Sequence, residues 1–140
     1  MANPKATLLR LRRYAREETL SQLRKAEADH AAQSARLSEL RAATRRAREG
    51  LDVTDADALA HYLAWRLRQE IGERRETLRL HQEERKVHAA RERHAVRVRD
   101  ELSMTRVLDT EAAERAEAAE AIERAEADDA AGMLAARAAS

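Results

Sequence analysis

The chain has no cysteine, no phenylalanine, one proline, three glycines and three aromatic residues in 140. Each shortage excludes something. Without cysteine there is no disulfide framework and no thiolate chemistry. Three glycines are too few to build a phosphate-cradling loop or a dinucleotide fingerprint. So few breakers also leave little room for turns. No apolar run approaches the roughly 20 residues needed to cross a bilayer. The opening MANPKATLLRLRRYAREE lacks the apolar stretch of a secretory signal. The expectation is a cytoplasmic protein with no direct membrane insertion.

What is present is charge and alanine. Charged residues make up 38 % of the chain, and much of its hydrophobic 44 % is Ala. Ala, Glu, Arg and Leu with few breakers spell a long helix or coiled coil. The net charge of +1 is unevenly spread. Residues 1–50 hold 12 Lys/Arg against 6 Asp/Glu, and residues 101–140 hold 4 against 10. A basic start and an acidic end can attract each other or meet different partners.

The punctuation predicts two helices. Asn3 can cap the first, and Pro4 suits its first position. No further Gly or Pro occurs until Gly50, which fits a left-handed C-terminal cap. This gives a helix over 4–49 and a turn over 50–54. Thr54 and Asp57 approximate a capping box for a second helix over 55–131. Gly132 should end it and leave a frayed tail over 132–140. A short connection makes the two helices antiparallel neighbours. With the turn centred near residue 52, residue 4 faces residue 100, and the second helix overhangs the first by some 30 to 40 residues. The expected fold is all-α: one long antiparallel two-helix coiled-coil hairpin over 1–140, its second helix longer than its first.

Heptad spacing suggests the contact faces. In the first helix Leu23, Ala26, His30, Gln33, Leu37, Leu40, Thr44, Ala47 and Leu51 alternate steps of three and four. Before them Leu8, Leu11, Ala15 and Thr19 read as a stutter. In the second helix Leu63, Leu67, Ile71, Leu78, Ala95, Val98 and Leu102 form the expected apolar stripe, with a poor middle at His81, Arg85 and His88. The stretch DALAHYLAWRLRQEIG then has two faces. Trp65 lies about 200° from Leu63 on a helical wheel, with Tyr62 about 60° from Trp65. Gln69 and Gly72 continue under the Trp. This aromatic side is expected to point outward and to anchor a partner.

No catalytic or cofactor-binding constellation appears. The His residues lack the i, i+4 spacing and acidic or Cys partners of a metal site. No Ser sits in a nucleophile elbow. The expectation is a non-enzyme with no cofactor. Arg10, Arg12, Arg13 and Arg16 in LLRLRRYAR could bind phosphate, but the near-neutral chain and its acidic tail argue against nucleic acid.

The opening LLRLRRYAREETLSQLRKAEADHAAQSARLSELRAA, the element HYLAWRLRQEI and the late stretch ERHAVRVRDELSMTRVLDTEAAER resemble the stalk proteins of type III secretion and flagellar export, the FliJ/YscO-like family. In one branch of that family an aromatic residue is followed, after two residues, by Trp-Arg-Leu. Here Tyr62, Trp65, Arg66 and Leu67 hold such places. The Ala/Glu tail after about residue 110 departs from the pattern. The resemblance implies a non-enzymatic central stalk, like the gamma shaft of rotary ATPases. It implies insertion into a hexameric export ATPase, contact with the cytoplasmic domain of the export-gate membrane protein and, for some members, substrate chaperones. It places the protein at the periphery of the inner-membrane secretion apparatus. Arg10, Arg12, Arg13 and Arg16 would then face the ATPase, and Tyr62, Trp65, Gln69 and Gly72 the gate. Two other readings stay open: an adaptor coiled coil that self-associates into a bundle, and a nucleic-acid-binding coiled coil.

Overall fold

The computed structural model describes residues 3–140. It contains two helices, α1 (Pro4–Glu49, 46 residues) and the longer α2 (Ala56–Ala139, 84 residues), with cross-contacts that form an antiparallel hairpin. The chain divides into two compact units. Residues 3–14 form one unit with Val98–Ser140, and Ala15–Arg97 forms the other.

The start of α1 follows its sequence. Asn3 Oδ1 accepts the Lys5 N–H at 3.0 Å, satisfying a donor that the first turn would otherwise leave open. The other ends differ from expectation. Gly50 is not left-handed, since no glycine among the described residues has positive φ. The Gly50 N–H still bonds Arg46 O at 3.0 Å, and the Leu51 N–H bonds Arg48 O at 3.3 Å. The helix therefore tightens into a shorter turn instead of reversing its φ. The cap of α2 is Asp55, not Thr54: its Oδ1 accepts the N–H of Asp57 at 3.1 Å and of Ala58 at 3.2 Å. Thr54 instead serves the turn, donating its N–H and hydroxyl to Asp52 Oδ1 at 3.0 and 2.6 Å. Those bonds, the hydroxyl's first, hold the exposed Asp52 carboxyl below its ordinary pKa.

Within the unit Ala15–Arg97, α1 packs along the seam read from its sequence. Every residue of that set from Leu23 to Leu51 is at least half-buried. The seam of α2 is the reverse of the expected one. Leu63, Leu67, Ile71 and Leu78 are exposed, and so is Ala95. The buried and half-buried positions include Leu59, Tyr62, Arg66, Gln69, Glu73, Glu76, Leu80, Glu83, Val87, Ala90 and His94. These alternate steps of three and four without a break, as a coiled-coil seam must. Leu63, Leu67 and Ile71, in steps of four, drift about 40° per step around the helix.

The physical reason lies on α1, whose seam buries Thr19, Gln33 and Thr44. Buried polar groups require partners; the two threonine hydroxyls can reach carbonyls of their own helix, Arg16 O at 2.8 Å and Leu40 O at 3.2 Å, and the polar face of α2 supplies the rest. Thr44 Oγ1 donates to Glu73 Oε1 at 2.8 Å, and Gln33 Nε2 to Glu76 O at 3.1 Å and to the Glu76 carboxylate. Thr19 Oγ1 lies 3.1 Å from His94 Nδ1. Each such bond to a charged group contributes about 1.5–3 kcal/mol. The leucine stripe could make none of them.

These pairs also correct the register. Gln33 meets Glu76 and Thr44 meets Glu73, so about two turns of α2 run past the end of α1. The middle is the tighter part, not the looser: Leu37, Val87 and Ala90 are the buried hydrophobic residues, at 3, 8 and 2 % exposure. His81, Arg85 and His88 are exposed and off the seam.

In the other unit the same α1 spacing continues through Leu9 and Arg12, both half-buried, so there is no stutter. Leu8 and Leu11 face out at 45 and 58 % exposure. Across from them α2 presents Glu101, Met104, Leu108 and Glu111, all half-buried, while the expected Val98 and Leu102 are exposed. Lys5 pairs with Glu111, so residue 5 lies near residue 111, not near 100. Beyond Glu111 every residue is exposed, yet α2 continues through Gly132 to Ala139. There is no break at 131. One Gly costs about 1 kcal/mol in a helix interior, and strong helix formers follow it.

Candidate interaction surfaces

The expected aromatic anchor is only partly exposed. Tyr62, Trp65, Gln69 and Gly72 are all half-buried. The rings of Tyr62 and Trp65 lie 6.1 Å apart, tilted by 37°. Gln69 Nε2 donates to Leu40 O at 3.1 Å, fixing that face against α1. The polar pairing that turns Glu73 and Glu76 inward also turns Gln69 toward α1, while Trp65 and Gly72 stay part-exposed. Beside Gly72 there is open space, since a Cβ built there would meet nothing within 4 Å.

The four basic residues do not form one displayed patch. Arg10, Arg12 and Arg13 belong to one unit and Arg16 to the other. Arg10 faces out. Arg12 is half-buried and donates through Nη1 to Asp100 O at 2.8 Å. Arg13 Nε lies 3.3 Å from Glu101 Oε1. Arg16 is half-buried at a seam position. Arg12 thus bonds the main chain of α2 in its own unit and Arg13 a carboxylate there, the latter an arrangement that the charge asymmetry of the sequence allowed.

The histidines are spread along the helices. His81 pairs with Glu84 at 3.2 Å and His88 with Glu92 at 3.1 Å, both within α2. His30 reaches Glu84 at 3.8 Å. Among the described residues no group of three or more His, Cys, Asp or Glu is placed to hold a metal ion. Among the described residues no helix is long and apolar enough to cross a membrane.

No match to this chain is found among protein-family models, curated proteins or solved structures.

Two further surfaces are left open. One is the aliphatic stripe of Leu63, Leu67, Ile71 and Leu78, bordered by the exposed Arg68 and Arg75. The signal for it was the unbroken heptad from Leu59 to His94, visible once polar residues are allowed at seam positions. The other is α2 beyond Glu111. Its described residues are all exposed, and seven acidic residues there stand against Arg115, Arg124 and Arg137.

Proposed function

We propose that this chain is a non-enzymatic stalk of a type III protein secretion or flagellar export apparatus. In this reading it is cytoplasmic, peripheral to the inner membrane, and links a hexameric export ATPase to the cytoplasmic domain of the export gate. The observation that carries it is the hairpin whose second helix continues for 28 residues, 112–139, past the Lys5–Glu111 ion pair. Two paired helices give stiffness, and a bare acidic helix gives an end that can enter another assembly. The likeness of LLRLRRYAR and HYLAWRLRQEI to the stalk family supplies the identity of that assembly.

Arg10, exposed beside the hairpin's open end, joins the 112–139 segment as the ATPase-facing surface. The test is binding to, and stimulation of, the purified export ATPase of the same organism. Removal of residues 112–140 together with Arg10→Glu should abolish both while leaving the paired helices folded. ATPase binding and stimulation that survive both changes would overturn the reading, as would no binding by the intact chain.

A further inference from the structure

The side of α2 turned away from α1 carries Leu63, Leu67, Ile71 and Leu78 at 53, 65, 59 and 65 % exposure. They fall within about 80° of one another on the helix. Single exposed hydrophobic residues are ordinary, but four on one face mark a contact surface. Arg74, tied to Glu70 of its own helix at 3.0 Å, lies on the same face between Ile71 and Leu78. One border of the stripe is basic. Arg68 and Arg75 are exposed there and make no ion pair among the described residues, while Arg79 and Lys86 further along are tied to Glu76 and Glu83 of their own helix.

That border selects the occupant. Two copies of the stripe laid antiparallel would set Arg68 and Arg75 against the same residues of the other copy, because same-side flanks meet in an antiparallel pair. The fitting occupant is a helix with a modest apolar face and acidic flanks. The chain itself contains such a helix without cover. Residues 112–139 are exposed throughout and carry seven acidic residues against three arginines. Ile122 and Met133, 60 and 66 % exposed, lie within about 20° of each other on it. Ala118, Ala125 and Ala136 flank them and permit close approach.

We propose that a second copy of this chain lays its 112–139 segment along the Leu63–Leu78 stripe, with its carboxylates against Arg68 and Arg75. The contact joins two different surfaces, so copies either reciprocate in a closed pair or extend as a chain. This proposal does not rest on the export reading. A monomer that binds the ATPase would overturn it and leave that reading intact.

The absence of cysteine makes the test direct. Full-length Leu67→Cys and Ala118→Cys variants are mixed and oxidised, and sedimentation velocity is run on the unmodified chain across micromolar concentrations. The expected results are a mixed disulfide between the two variants and a mass that rises with concentration. Arg68→Glu with Arg75→Glu should cut the cross-link yield at least tenfold and return the chain to monomer mass, with helicity unchanged because both residues are exposed. Three results would overturn the proposal: a monomer at every concentration, whether or not it binds anionic vesicles; disulfides formed mainly between two Leu67→Cys copies; or association indifferent to the double reversal.

Discussion

Gln33 on α1 donates to the main-chain carbonyl of Glu76 on α2 at 3.1 Å and also bonds its carboxylate. Gln33 is 6 % exposed, so this amide is spent wholly inside the hairpin. The pair fixes which side of α2 faces in and sets the register between the helices in its unit.

Gln33→Ala should therefore destabilise the hairpin by about 1–3 kcal/mol, the cost of leaving a buried acceptor unpaired. Thermal or urea melts followed by circular dichroism would read it. Changing Gln33 and Glu76 together to Leu should recover most of the loss, since apolar groups of similar shape can replace a buried polar pair. If Gln33→Ala melts like the parent, the polar seam carries no stability.

Gly72 offers a change in the other direction. It sits inside α2 with nothing within 4 Å of a built Cβ. Gly72→Ala should stabilise the hairpin by about 1 kcal/mol, the propensity difference between the two residues. The same melts measure it, and a lowered midpoint would show that close contact at this position needs glycine.

Asp52 gives the turn a pH dependence. Its carboxyl titrates below its ordinary value because the Thr54 hydroxyl, then the Thr54 N–H, bond the charged form. A lowered folded-state pKa contributes stability that is present above the unfolded value, near 3.9 for Asp, and is lost as pH falls through the lowered one. The melting difference between the parent and Asp52→Asn should therefore be constant near neutral pH and vanish in strong acid. A difference that grows on acidification would contradict the sign.

Much of this fold was legible. Few breakers, the Asn3–Pro4 start and the Gly50 interruption were enough for two helices and a hairpin, and the α1 heptad from Leu23 to Leu51 lies where its spacing put it. The α2 face was not legible from hydrophobicity. Leu63, Leu67 and Ile71 outrank Gln69, Glu73 and Glu76 on any apolar scale, and they lie outside. The deciding fact was on the other helix, where Gln33 at a seam position demands a polar partner. Periodicity carried that signal and hydropathy hid it. The wheel also set Gln69 outward, whereas with Glu73 and Glu76 turned inward it bonds Leu40 O of α1. The helical reach to Ala139 was hidden by Gly132, a residue that weakens a helix without ending it.

The central claim is that α2 packs by its polar face and shows its aliphatic face. Thiol labelling of single-cysteine variants tests it most directly, at concentrations where the chain is monomeric. Leu67→Cys should react at nearly the rate of a free thiol, and Gln69→Cys should be strongly protected. The reverse order, with the thiol at position 67 protected and that at 69 reactive, would contradict the account.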